Sequence, residues 1–382
     1  MVKRELTAKI RALLKKFPIV AITGPRQSGK TTLAQLLKPK YNYVNLENLS
    51  EREFAVTDPL GFLNTYRGGV IIDEIQNVPE LFSYLQTVTD KRKINGEYII
   101  TGSQNFLMME RITQSLAGRI ALFSLLPFSI RELKKTEYTI TEWEQYAISG
   151  SYPRRIVQDI PSSDYYANYI QTYVERDVRL LKNISNLDTF QKFIRLLAGR
   201  TGQLFNQSGL GNELGADNKT INAWLTVLET SFIAFRLQAY HSNLNKRIIK
   251  TPKIYFYDTG LLCYLLGIRT VQELNVHFAK GSIFENLVIS EMLKNSINAD
   301  THSKFYFWRD SSQNEVDVIA ETDVNLDVIE IKSGKTIQPD FFKGLDYFKT
   351  LYEKSRLHVV YGGSENQTRT KYKVHSILNL PS

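Results

Sequence analysis

Gly24-Pro25-Arg26-Gln27-Ser28-Gly29-Lys30-Thr31-Thr32 is the stretch around which the chain is organised. It follows the apolar run Ile19-Val20-Ala21-Ile22 and precedes Leu33-Ala34-Gln35-Leu36-Leu37. Strand, glycine turn, Lys-Thr and helix make the phosphate-loop pattern G-x-x-x-x-G-K-S/T in the context it requires. Gly24 and Gly29 let backbone N–H groups close on phosphate oxygens, and the positive end of the following helix adds to the attraction. Lys30 is placed to reach the β- and γ-phosphates, and Thr31 offers a hydroxyl to Mg²⁺. Pro25, Arg26, Gln27, Ser28 and Thr32 complete the nucleotide-binding turn.

Working outward, Val70-Ile71-Ile72-Asp73-Glu74-Ile75-Gln76 runs four apolar residues into two adjacent carboxylates. So continuous a run suits a central strand of a parallel sheet, covered on both faces. Ligands gather at the carboxyl ends of such strands. Asp73 is therefore predicted to hold Mg²⁺ and Glu74 to polarise an attacking water. The flanking pattern predicts helices over 3–16, 58–66 and 79–90 and strands over 43–46 and 98–103. The last strand ends on Thr101 and Ser103, where a hydroxyl either senses the γ-phosphate or caps the next helix. Arg119 precedes the apolar run 120–123. It is either a cation for the γ-phosphate, acting within the chain or on a neighbouring subunit, or a surface arginine.

Composition bounds the rest. A chain of 382 residues, 43% hydrophobic, is expected to fold as two or three domains. Its 48 basic against 39 acidic residues, a net charge of +9, permit contact with nucleic acid or an acidic surface. A single cysteine, Cys263, excludes an internal disulfide framework and multi-cysteine zinc sites. The first residues carry no signal-peptide core and no run reaches membrane-span length, so a soluble cytoplasmic protein without membrane contact is expected. The five histidines show no ligand spacing, and none is expected to bind metal.

Residues 1–135 resemble the AAA-type P-loop ATPases, in the group called archaeal-type or prokaryotic ATPases. The resemblance is carried by residues 24–32, Ile71-Ile72-Asp73-Glu74-Ile75-Gln76, Ile100-Thr101-Gly102-Ser103, and Leu116-Ala117-Gly118-Arg119 leading to Leu125-Leu126-Pro127-Phe128-Ser129. It implies ATP and Mg²⁺ as cofactors, hydrolysis, and assembly into a homo-oligomer. Residues 136–189 then correspond to the helical lid of that family, with Arg176 either a second nucleotide sensor or a partner of adjacent helices.

Residues 190–257 look like a winged helix, with helices over 190–198, 207–214 and 218–229 and wing strands over 232–239 and 253–256. In a DNA-binding role Lys219, Lys246, Arg247 and Lys250 meet phosphates; the alternative is a module used only for packing or protein contact. Residues 258–382 hold a second constellation. Glu285 lies in the first turn of an amphipathic helix, Asp317 on a strand, and Glu330 and Lys332 two apart on the next. Such a set can hold Mg²⁺ through Glu285, Asp317 and Glu330 while the lysine activates water. The elements Lys280-Gly281-Ser282 to Glu285, Val316-Asp317 and Glu330-Ile331-Lys332 resemble the PD-(D/E)xK nucleases, closest to archaeal Holliday-junction resolvases. Val316 stands where some members carry proline. The alternative is a set of structural ion pairs in a nuclease-like fold.

The expected fold class is thus α/β: a P-loop AAA-type parallel sheet, a helical lid, a winged helix and a restriction-endonuclease-like α/β domain. The function this implies is an ATPase acting on DNA, with a C-terminal part that cleaves or grips it. The alternative is a nucleotide-dependent switch binding a protein partner.

Overall fold

A computed structural model describes residues 2–102, 115–174, 187–240, 251–299, 301, 303–322 and 325–380. The chain divides into two compact units. The first is Met1–Phe128 with Tyr152–Arg154 and Ile297–Asp300; the second is Ser129–Ser151, Arg155–Ser296 and Thr301–Ser382.

In the first unit β1 (Ile19–Thr23), β2 (Asn42–Asn45), β3 (Val70–Asp73), β4 (Tyr98–Gly102) and β5 (Ile120–Ser124) form one sheet in the order β2-β3-β4-β1-β5. Every neighbouring pair is parallel. Strands β1, β3 and β4 are buried at every position, which explains their unbroken apolar runs. Alternate residues serve opposite faces. Ile19, Ala21, Ile72 and Ile100 pack against α4 (Pro59–Thr65) and α5 (Leu81–Arg92). Val20, Ile22, Ile71 and Ile99 pack against α1 (Thr7–Leu13) and α2 (Lys30–Leu37). Helix α3 (Leu49–Thr57), which the sequence pattern did not suggest, begins at Asn48, whose side chain accepts the Ser50 N–H. Asp58 accepts the Gly61 N–H and Pro59 opens α4, so one residue ends a helix and starts the next.

The second unit opens with α6 (Ile130–Leu133) and α7 (Trp143–Ser149); α8 (Pro153–Val157), which belongs to it from Arg155 on, and α9 (Ser162–Tyr169) follow. The expected long helix continues from α9 as a π-helical turn, Ile170–Val174, and Arg176 lies outside the described residues. Then come α10 (Leu187–Ala198), α11 (Gln207–Leu214) and α12 (Asn218–Thr230), and an antiparallel hairpin of β6 (Ala234–Ala239) and β7 (Lys253–Phe256). Trp224 packs on Phe190 and Phe193 with ring centroids 5.6 and 5.5 Å away, and Asp217 caps α12 through the Thr220 N–H at 2.6 Å.

Helices α13 (Thr259–Leu265), α14 (Val271–Val276) and α15 (Lys280–Ala299) lead into β8 (Lys304–Arg309), β9 (Glu315–Glu321) and β10 (Leu326–Lys332). After α16 (Lys343–Leu351) come β11 (Arg356–Tyr361), β12 (Gln367–Thr368) and β13 (Tyr372–Ser376). The sheet order is β12-β13-β11-β10-β9-β8-β6-β7. Strands β8, β9 and β10 form an antiparallel meander, while β11 runs parallel to both β10 and β13. Because β6 pairs with β8 through Gln238–Tyr306 and Ala239–Phe307, the sheet runs across the boundary expected near residue 257. Helix α15 is fastened by a buried polar network: Glu291 accepts from the Ile130 N–H at 2.7 Å, the Tyr146 hydroxyl at 2.9 Å and Lys294 at 2.8 Å. Among the described residues no helix is long and apolar enough to cross a membrane.

Candidate functional site

The phosphate loop sits where β1 ends and α2 begins. Gly24 takes φ +141°, and a Cβ there would lie 2.2 Å from the Leu125 carbonyl oxygen, so only glycine fits. Gly29 is left-handed at φ +91° and delivers the chain into α2. Lys30 is buried and donates to the carbonyls of Gly24 at 3.0 Å and Pro25 at 2.8 Å. Burial lowers its ammonium to about 8, against the raising effect of Glu74 and Asp73. A buried cation held by loop carbonyls is a ready counter-charge for phosphate. The Ser28 hydroxyl is buried without a hydrogen-bond partner among the described residues. The Ser28 carbonyl takes Arg4 Nη1 at 2.9 Å, and Arg4 Nη2 donates to Leu126, so the first helical region braces the loop. Arg26 faces Glu47 at 3.8 Å, and Thr32 is exposed at the start of α2.

Asp73 ends β3 beside the loop, as expected. Its Oδ2 accepts from the Thr31 and Tyr43 hydroxyls at 2.8 Å each, and its Oδ1 from Thr101. Thr31 and Asp73 thus bring hard oxygen donors together, and they fit a magnesium ion. Glu74 follows in the left-handed region at φ +55°, an uncommon conformation for a non-glycine residue, and Gln76 donates to its carboxylate. Thr101 is placed at this carboxylate; Ser103 lies outside the described residues. Tyr43 was missed because nothing in its local sequence reveals a neighbour strand; burial and Asp73 raise its hydroxyl above the ordinary value.

Arg119 requires a correction. It precedes β5, whose start pairs with the start of β1, and its guanidinium is bidentate to Asp90 at 2.6 and 2.9 Å. The loop lies at the other end of β1, about 16 Å away for five strand residues. In a parallel sheet all strands begin at one edge, so a residue just before a strand faces away from the carboxyl-end site. Arg119 therefore does not serve the γ-phosphate of its own chain.

The second constellation is assembled from α15, β7, β9 and β10. Glu285 Oε1 accepts from Lys253 Nζ at 3.3 Å and from the Tyr255 hydroxyl. Lys253 also donates to Glu315 at 2.5 Å. Asp317 Oδ2 accepts the Ile331 N–H at 2.7 Å, and Lys332 donates to Glu330 Oε1 at 2.5 Å. Burial, the Lys253 charge opposing it and the Asp317 charge adding to it, leaves Glu285 raised to about 7. Burial and the Asp317 charge raise Glu330 to about 8, against Lys332. The four expected side chains therefore share one electrostatic neighbourhood. As arranged they form no metal site: among the described residues no three His, Cys, Asp or Glu side chains converge on one point, and the buried Glu330 Oε2 has no hydrogen-bond partner. Where the sequence predicts a ligand set, Glu285 pairs with Lys253, Glu330 pairs with Lys332 and Asp317 accepts the Ile331 N–H. Lys253 and Tyr255 escaped sequence reasoning, since they come from a hairpin far along the chain.

Lys219 is exposed at the start of α12, while Lys246, Arg247 and Lys250 lie outside the described residues. His358 and His375, distant in sequence, meet across β11 and β13, with His358 Nδ1 and His375 Nε2 3.1 Å apart and His358 Nε2 3.1 Å from Asp327.

Residues 16–134 match the family model described as an AAA domain. Residues 140–272 and 280–382 match two domains of unknown function, DUF8612 and DUF4143. An uncharacterized protein of Mycobacterium tuberculosis is 29% identical over 364 residues, covering 94% of this chain and 80% of its own. One of Haemophilus influenzae is 25% identical over 318 residues, covering 74% of this chain and 76% of its own. Among solved structures, a Walker-type ATPase of Pyrococcus abyssi is similar with a TM-score of 0.48 and 15% identity, over 68% of this chain and 94% of that one. The parallel sheet, the phosphate loop with Asp73 beside it, and the match over 16–134 make the N-terminal unit a P-loop nucleotide-binding domain of the AAA type.

Proposed function

We propose that the chain is a Mg²⁺-dependent ATP hydrolase that acts on DNA, gripping or cutting it with the C-terminal unit. The observation that carries the ATPase part is the meeting of Thr31 with Asp73 beside a buried Lys30. Thr31 and Asp73 would hold Mg²⁺, which when bound neutralises charge on the transferring phosphoryl group. Lys30 exchanges the carbonyls of Gly24 and Pro25 for phosphate oxygens and stays charged there. Glu74 accepts a proton from, or orients, the attacking water, with Gln76 holding its carboxylate. Backbone N–H groups of residues 24–29 and the start of α2 bind the remaining phosphate oxygens. Arg119 is retained only as a residue offered to a neighbouring copy in a homo-oligomer.

Action on DNA is supported by the net charge of +9 and by the exposed Lys219 at the start of α12, the third helix before a hairpin. Cutting rests on the residue types of Glu285, Asp317, Glu330 and Lys332 and requires the ion pairs of Glu285 and Glu330 to open. The test is phosphate release and DNA cleavage, measured with Mg²⁺ on branched and single-stranded DNA, with Lys332→Ala beside the wild type. Cutting lost in Lys332→Ala supports a nuclease. DNA binding that weakens steeply with salt but yields no Lys332-dependent cutting leaves a gripping role. A second reading, a nucleotide-dependent switch for a protein partner, is favoured by the internal pairing of Glu285 and Glu315 with Lys253. Salt-insensitive DNA binding, or none, decides for it.

A further inference from the structure

We propose that the ammonium of Lys253 is the resident cation of the cluster Glu285, Glu315, Asp317 and Glu330, and that it closes this cluster to a divalent metal ion. The inference rests on reading the quartet as a metal-type constellation. Lys253 is 3% exposed, on β7, with its ammonium 5.5 Å from the centre of the Phe307 ring. An ammonium so buried persists only where carboxylates surround it. It bridges two of them, Glu285 on α15 and Glu315 on β9, while Asp317 adds its charge from the next position on the same side of β9.

Charge accounting points the same way. The four carboxylates face three cations: Lys253, Lys332, and Arg309, which lies 3.3 Å from Glu315. With all four carboxylates ionised, one negative charge is in excess. Without Lys253 the excess becomes two, the charge that a divalent cation neutralises, Glu285 Oε1 keeps only the Tyr255 hydroxyl, and the buried Glu330 Oε2 has no hydrogen-bond partner among the described residues. Lys332 cannot take over, since it is already hydrogen-bonded to Glu330 Oε1. The lysine therefore does for the folded unit what a bound metal does elsewhere, and a metal must displace it to enter.

Mn²⁺ serves as the probe, without nucleotide, read by the electron-spin resonance of free Mn²⁺ and by the melting temperature. The wild type is expected to show no Asp317-dependent Mn²⁺ site up to about 1 mM. Lys253→Met keeps the stem on Phe307 and removes the charge. It is expected to bind Mn²⁺ at least about tenfold more tightly than wild type, with a Mn²⁺-dependent rise in melting temperature that Asp317→Asn abolishes. Should Lys253→Met not fold, Lys253→Gln, which keeps a donor to Glu315, takes its place. Wild-type Mn²⁺ binding that is Asp317-dependent and as tight as in the variant overturns the inference and leaves the metal-site reading standing. Absence of Asp317-dependent binding in both overturns the inference together with that reading.

Discussion

Asp73→Ala tests the nucleotide site before any nucleotide is added. The carboxylate is 5% exposed and accepts three hydroxyls, from Thr31, Tyr43 and Thr101. Removing it orphans them unequally. Thr101 is fully buried and cannot turn to water, so its loss costs about 1–3 kcal/mol. Tyr43 is 41% exposed and Thr31 half-buried; water replaces part of what they lose, leaving about 0.5–1 kcal/mol each. The total is about 3 kcal/mol, and Lys30 is left with Glu74 as its carboxylate neighbour. Asp73→Asn keeps an acceptor and the volume, and should cost about half as much. Native-state hydrogen exchange of β3 and β4 amides, with urea unfolding alongside, measures both variants. A cost under about 1 kcal/mol for Asp73→Ala, or equal costs for both, refutes the acceptor role assigned to this carboxylate.

Gly24→Ala should lower stability by about 2–4 kcal/mol and abolish nucleotide binding, because its Cβ meets the Leu125 carbonyl and φ is +141°; denaturant unfolding and a labelled-nucleotide titration read this out. Asp258→Ala should destabilise the second unit by about 3 kcal/mol or more, since this buried carboxylate accepts from the Ser151 N–H and hydroxyl, the Tyr166 hydroxyl and the Leu261 N–H; a melt checks it. For pH the sign is set by Glu285, raised to about 7, and Glu330, raised to about 8, from an ordinary 4.5. Between these limits the folded state holds more protons than the unfolded one, so stability of the second unit should fall as pH rises from about 4.5 to 8, and Glu330→Gln should flatten the slope.

How far these sites were legible follows from the range of each interaction. The phosphate loop is local: glycines, lysine and threonine lie within nine residues and need only a strand before them and a helix after. The central strands were legible because burial on both faces forces continuous apolar runs such as Val70-Ile71-Ile72. Helix α3 was not, since only Ala55 of it is buried and no apolar stripe marks it. Periodicity tells which face a residue is on but not which strand lies beside it. Tyr43 at Asp73, Lys253 at Glu285 and Glu315, and His358 at His375 are all pairings across strands or elements, invisible to spacing. Arg119 is the instructive reverse: its place before a strand of a parallel sheet already puts it at the edge away from the loop.

The central claim, that Lys30, Thr31, Asp73 and Glu74 form a working ATP site, is tested most directly by phosphate release from ATP with Mg²⁺, measured with nucleotide affinity in the wild type, Glu74→Gln and Lys30→Ala. Wild-type turnover that requires Mg²⁺, a fall of about a hundredfold or more in Glu74→Gln with binding retained, and binding lost in Lys30→Ala are predicted. Turnover undiminished in Glu74→Gln, or ATP bound as tightly by Lys30→Ala as by the wild type, contradicts it.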